Sequence, residues 1–268
     1  MRVGWLADPE TEVVGGAELC VRRLLETKPD DLAVVPCPPG RIRRDVDCYA
    51  VHNCTRYTFR EFLADARHDA PIVKVVYEQW WKGDPALRFF LLAASRVALF
   101  LSPTHLETFP HRIEVPTMVT PTFVDLEPFR RARRRHRGPR EGVMWIAQMT
   151  SAHKGVDDAV RWAERNRTTV DFYGGGWMRP PAHRFVRDHG QIDPEAVPET
   201  MAAHRGFLFL PTLLDTCSRT ILEAWAAGLE LHLNEHCGAL WWIEHSPESI
   251  DTSHETFWRA VRSAGGDG

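Results

Sequence analysis

The segment Pro211–Gly228 (PTLLDTCSRTILEAWAAG) places Asp215 and Glu223 with seven residues between them. The apolar run Phe207–Leu210 precedes it, and the helical pattern Thr220–Ala227 follows and stops at Gly228. One carboxylate in a loop and another one turn into the next helix can accept hydrogen bonds from two hydroxylated parts of one ligand. The amides of Thr216, Cys217 and Ser218 are donors for a third part, and Ser218 or Thr220 is the expected helix cap. A second loop, Gln148-Met149-Thr150-Ser151-Ala152-His153-Lys154-Gly155, puts Lys154 at the start of another helix, where its point charge suits a diphosphate. Gly15-Gly16-Ala17-Glu18 opens a third helix; its glycines let a backbone approach a ligand closely, and exposed helix amides attract phosphate. Gly174-Gly175-Gly176 is a further glycine turn. His52 closes a strand and is expected at the mouth of the ligand cleft, within reach of an acceptor, while Trp80 and Trp81 offer flat rings to a sugar or base. The thirteen histidines form no His-Glu-x-x-His or clustered pattern, so no metal is expected.

Each of these loops needs a strand before it and a helix after it, and the chain supplies both. Apolar runs of strand length lie at Arg2–Ala7, Leu32–Cys37, Val46–His52, Ile72–Tyr77, Val97–Ser102 and Met118–Phe123, with helical patterns such as Ala17–Glu26, Thr58–Arg67 and Pro85–Ser95 between several of them. The alternation resumes with strands Val143–Met149, Val170–Tyr173, Phe207–Leu210 and Glu230–Leu233, and helices Val156–Asn166, Ala196–Ala203 and Thr220–Ala227. Unbroken apolar strands between helices imply parallel sheets covered on both faces, in which ligands sit beyond the carboxyl ends of strands. The segment 126–140 (LEPFRRARRRHRGPR) breaks the pattern with seven arginines and reads as an extended linker. The expected architecture is α/β: two Rossmann-like doubly wound domains facing a cleft. Residues 1–125 form the first domain, 126–140 the linker and 141–268 the second, with the last helix free to cross back.

The order of these loops resembles the GT-B glycosyltransferases, in particular the retaining glycosyltransferase family 4 (glycosyl transferases group 1). Gly15-Gly16-Ala17-Glu18 matches the family's Gly-Gly-x-Glu start, and Ala147-Gln148 with Lys154-Gly155 stands where it has Gly-Arg and Lys-Gly. Asp215-x7-Glu223, continued by Ala224-Trp225-Ala226-Ala227-Gly228, matches its Glu-x7-Glu segment, and Thr122-Phe123-Val124-Asp125 its Asn-Gly-Val-Asp turn. The likeness covers nearly the whole chain and is strongest over residues 143–243. It implies a two-domain GT-B fold and transfer of a hexosyl or pentosyl group from a UDP- or GDP-sugar to a hydroxyl, with no cofactor. Implied donor contacts are Gly15, Gly16, Gln148 and Lys154 at the diphosphate, Glu223 at the ribose, and Asp215, Thr216, Cys217 and Ser218 at the sugar. Asp215, Lys154 and His52 are the expected catalytic groups. The chain departs from the family at Gln148 (arginine there), Asp215 (glutamate), Cys237 (glycine), Trp241 (glutamate) and Tyr77-Glu78 (histidine). A nucleotide-sugar epimerase or hydrolase of the same fold, or a non-catalytic partner subunit, are the competing readings.

Composition bounds the setting. Apolar residues are 44% and charged residues 26%, which excludes wholesale disorder, and 33 basic against 36 acidic side chains give −3, so no global basic field points to nucleic acid or membrane. No apolar stretch is long enough to span a bilayer, no charged-then-apolar leader opens the chain, and six cysteines lack Cys-x-x-Cys spacing, so a reduced cytoplasmic setting is expected. The local exception is the arginine run. Arg133, Arg134 and Arg135, with Trp80 and Trp81, are candidate acceptor contacts to a hydroxylated DNA base, a glycan acceptor being the alternative.

Overall fold

The computed structural model describes residues 1–8, 16–77, 83–149 and 151–266, and the structural statements below concern these residues; Gly15, Trp80 and Trp81 lie outside them. The chain divides into two compact units, Met1–Phe123 with Pro247–Gly268, and Val124–Ser246.

In the first unit β1 (Arg2–Leu6), α1 (Gly16–Glu26), β2 (Ala33–Pro36), β3 (Cys48–Val51), α2 (Phe59–Asp65), β4 (Ile72–Val76), α3 (Pro85–Ala93), β5 (Ser95–Phe100), α4 (Pro103–Glu107) and β6 (Thr117–Val119) follow in order. The strands form a sheet ordered β2-β1-β3-β4-β5-β6, every pair parallel. Alternation along the strands splits the core by face. Leu6, Tyr49 and Val51 join Phe62, Leu87 and Leu91 in one cluster. On the other face, Trp5 packs on Phe257 and Trp258, and His52, the residue after β3, packs on Trp5 and Phe257. Helix starts follow local chemistry: Thr58 and Glu61 form a capping box at α2, and Asp84 caps α3 ahead of Pro85.

In the second unit α5 (Glu127–Arg135), β7 (Glu141–Ile146), α6 (Val156–Asn166), β8 (Val170–Tyr173), β9 (Val186–Gly190), α7 (Val197–Ala203), β10 (His204–Phe209), α8 (Arg219–Ala226), β11 (Glu230–Leu233) and α9 (Ala239–His245) follow. The parallel sheet runs β11-β10-β7-β8-β9 around a buried Trp145 that packs on Phe172 and Phe209. The chain ends in α10 (Glu248–Asp251) and α11 (Ser253–Gly265), both grouped with the first unit. Two parallel sheets with helices between the strands are the architecture that the alternation implied.

The segment 126–140 is a correction. Residues Glu127–Arg135 are helical, not an extended linker, because Phe129 and Ala132 lie three apart on one face and bury it against α7 and α8. The arginines crowd the other faces. Arg140 donates to the carbonyls of Ala227 and Gly228 at 2.7 and 2.9 Å, and a Cβ on Gly228 would meet Arg133 Cζ at 2.4 Å, so this helix is fastened to the end of α8.

Candidate active site

Strand order locates the site in the second unit. The chain leaves β7 toward β8 and β9 on one side, then returns to place β10 and β11 on the other. The sheet reverses between β7 and β10, and loops leaving the carboxyl ends of such strands diverge and open a crevice. These are the loops that carry Gln148 and Lys154, and Asp215 to Ser218.

The structure brings Lys154 and Asp215 together: Nζ donates to Oδ2 at 2.8 Å, with side chains 28% and 10% exposed. Backbone contacts fix both loops. Gly155 has φ +74°, and a Cβ there would lie 1.8 Å from the Leu210 carbonyl oxygen, so only glycine lets the loop after β7 seat on the loop after β10. Thr212 N donates to His153 O at 2.9 Å across the same seam. Asp215 is held from the β11 side, where its N donates to His236 O and its O accepts from Gly238 N, both at 2.8 Å. Lys154 also stands over the Phe209 ring, 5.7 Å from the centroid. A part-buried ammonium and carboxylate, a donor and an acceptor, are thus held together on two anchored loops.

Glu223 lies in α8 with its side chain 7% exposed, and Arg219 one turn earlier donates to its Oε1 through Nη2 at 2.7 Å and Nε at 3.2 Å. Ser218 stands at the cap position, but its hydroxyl pairs with Thr220 Oγ1 at 2.9 Å and no side chain caps α8. Thr216 and Cys217 are buried beside it. Gln148 is half-buried and makes no side-chain hydrogen bond to the described residues. The loop after β8 lies against the loop after β7: Met149 N donates to Gly175 O at 2.7 Å, and Cβ atoms on Gly174 and Gly176 would lie 1.9 and 2.4 Å from the carbonyls of Ala147 and Met149.

His52 belongs to the first unit, and the arginines Arg133, Arg134 and Arg135 lie away from the loops of Lys154 and Asp215. His52 is fully buried in the first unit, not at a cleft mouth: Nδ1 sits 3.0 Å from Tyr77 Oη, the ring packs on Trp5 and Phe257, and Nε2 has no partner. The physical reason is α11, which covers that face of the sheet. Burial, with the Lys74 cation adding to it, holds the imidazole well below its ordinary pKa. Lys74 itself donates to His52 O at 2.5 Å and burial pushes its ammonium down to about 8. Arg133 and Arg134, with Arg130, Trp225 and Ala226, line a cavity of about 390 Å³. It stands at the far end of α8, beside the start of β7; the six residues of β7 span about 20 Å between that end and the loops of Lys154. Arg135 is exposed on the same helix. Gly16 heads α1, and a Cβ there would meet none of the described residues within 4 Å.

Sequence reasoning missed Arg219, which the expected helix start at Thr220 left in a loop, although its spacing of four from Glu223 is an i,i+4 pairing signal. It also missed Trp177, 76% exposed just after the glycine turn. Among the described residues no group of three or more His, Cys, Asp or Glu is arranged to hold a metal, and no helix is long and apolar enough to cross a membrane.

No protein-family model and no curated protein matches the chain. Solved structures do. HepE of Anabaena in complex with UDP superposes with a TM-score of 0.66 at 14% identity, covering 99% of this chain and 92% of that one. Sucrose-phosphate synthase of Thermosynechococcus elongatus gives 0.63 at 12% identity over 98% and 94%. A glycosyltransferase of Rickettsia africae gives 0.60 at 8% identity over 98% and 90%. The fold is therefore the two-domain α/β fold of the GT-B glycosyltransferases.

Proposed function

We propose that the chain is a glycosyltransferase that binds a nucleoside-diphosphate sugar on the second unit and transfers the sugar to a hydroxyl. The observation that carries this reading is the Lys154–Asp215 pair at the β7/β10 reversal, with the buried Glu223 one helix turn beyond. Lys154 takes the diphosphate, Glu223 accepts from the ribose hydroxyls, and Asp215 with the segment Thr216–Ser218 accepts and donates at the sugar. UDP is the favoured nucleotide, because HepE superposes in complexes with UDP and with UDP-glucose.

A retaining course suits these residues. Once Lys154 moves to the diphosphate, Asp215 is taken up by a hydroxyl of the donor sugar, and His52 is closed in the core, so neither is assigned as the base of an inverting attack. The leaving phosphate takes the acceptor proton while Lys154 stabilises its charge. Gln148 brings no cation, so Lys154 carries more of that stabilisation than one member of a cationic pair would.

The exposed arginines of α5 favour a polyanionic acceptor such as DNA, a neutral glycan being the other outcome. The test is an intact-mass screen of UDP- and GDP-sugars against DNA bearing hydroxylated bases and against oligosaccharides. A product heavier by one sugar supports transfer. Donor consumed without acceptor points to a hydrolase or epimerase, and no donor bound points to a partner subunit.

A further inference from the structure

We propose that Trp177 is the platform on which the donor's nucleobase stacks, an inference that rests on the donor reading of the second unit. Its indole is 76% exposed, whereas most of the described tryptophans, including Trp145 and Trp258, are buried or half-buried. Exposure alone assigns nothing, since Phe89 is 66% exposed as well; what singles out Trp177 is a flat indole left open on a turn beside the loop of Lys154.

The backbone carrying Trp177 is fastened on both sides. Gly176 lies so close to the Met149 carbonyl that a Cβ would be 2.4 Å away, and Met178 N donates to the same carbonyl at 3.0 Å. Arg179 Nη1 lies 3.6 Å from Asp188 of β9 and 3.4 Å from the Gly174 carbonyl, which draws the next residue onto the sheet edge. The ring is therefore presented by a fixed turn, and no ring contact or hydrogen bond with the described residues engages it.

Position selects the base. The turn follows β8, which pairs directly with β7, so it stands next to the loop of Lys154 on the same sheet edge. On the other side of β7, the loop after β10 carries Asp215 for the sugar and leads to Glu223 for the ribose. With phosphates at β7 and both carboxylates on the β10 side, the other side of β7 holds β8 and β9, and the turn after β8, the nearer of the two, presents the exposed indole. A tryptophan face accepts any base, so this contact adds affinity more than choice between uracil and guanine.

The experiment is calorimetric titration of the full chain with UDP, with GDP and, separately, with inorganic diphosphate, for wild type, Trp177→Ala and Trp177→Phe. The expected result is a loss of UDP affinity of roughly 5- to 150-fold in Trp177→Ala, the range that follows from removing one base–aromatic stack. Trp177→Phe should stay within about threefold of wild type, and diphosphate affinity should be the same in all three. Unchanged UDP affinity in Trp177→Ala, or equal loss of UDP and diphosphate, overturns the stacking role while leaving the donor reading standing. Wild type binding neither UDP nor GDP removes the donor reading and this inference together.

Discussion

Lys154 and Asp215 neutralise each other at 2.8 Å, and that coupling decides how single substitutions behave. Asp215→Asn releases the lysine, so UDP should bind as well as to wild type or tighter, whereas UDP-glucose should lose a contact and bind more weakly. Glu223→Gln should weaken UDP itself, because the ribose partner goes and Arg219, 16% exposed, loses its carboxylate. Titrating both ligands into both variants checks the division; equal loss of UDP in the two would contradict it. That Lys154 and Asp215 lie on neighbouring loops was legible in the sequence, because each follows an apolar strand and such loops gather at one edge of a parallel sheet, while Glu223 was read from its place in the next helix. His52 satisfied the same rule and is buried. Its register on β3 sends it to the face that α11 covers, and a contact made some 200 residues further along the chain leaves no local signal. A buried imidazole also has a thermodynamic consequence. Burial takes His105 down to about 4 from its ordinary 6.5, so the folded state prefers it neutral. Its contribution is complete above pH 6.5 and is lost as pH falls from 6.5 through about 4, up to ~3 kcal/mol. Melting curves at pH 7.5, 5.5 and 4.5 should show His105→Gln losing less stability on acidification than wild type; parallel losses would contradict this.

Elements were more legible than their ends. The strands at Val170–Tyr173 and Glu230–Leu233 and the helix at Val156–Asn166 fall where apolar periodicity put them. β9 (VRDHG) escaped notice because an edge strand with exposed Arg187, Asp188 and His189 shows no apolar run. The arginine helix escaped because charge hid the two residues that matter, Phe129 and Ala132, and because two prolines and a glycine suggested a linker. The seam between the loops after β7 and β10 depends on one residue. Gly155→Ala puts a methyl into the Leu210 carbonyl at positive φ, so it should lower thermal stability by at least ~1 kcal/mol and displace Lys154. UDP affinity should fall along with the melting temperature; wild-type affinity in this variant would show that the seam does not position the lysine.

At the scale of the molecule, charge is concentrated where the sheet loops are not. The exposed arginines of α5 stand about 20 Å along the second unit from Lys154, which suits an extended polyanion better than a small one. Affinity for duplex DNA should then fall with salt at a log–log slope of about −0.9 per phosphate contacted, and Arg131, Arg134 and Arg135 changed together to Ser should flatten it. No affinity at low salt would return the acceptor to a neutral glycan. Whether the β7/β10 reversal holds a nucleoside diphosphate through Lys154 can be read by titrating UDP into wild type and Lys154→Ala in the presence of a chelator. Wild type should bind without metal, and the variant should bind roughly 10- to 100-fold more weakly, the loss of one charge-assisted phosphate contact. Equal affinity in the two proteins, or binding that requires an added divalent ion, would mean that Lys154 does not hold the diphosphate.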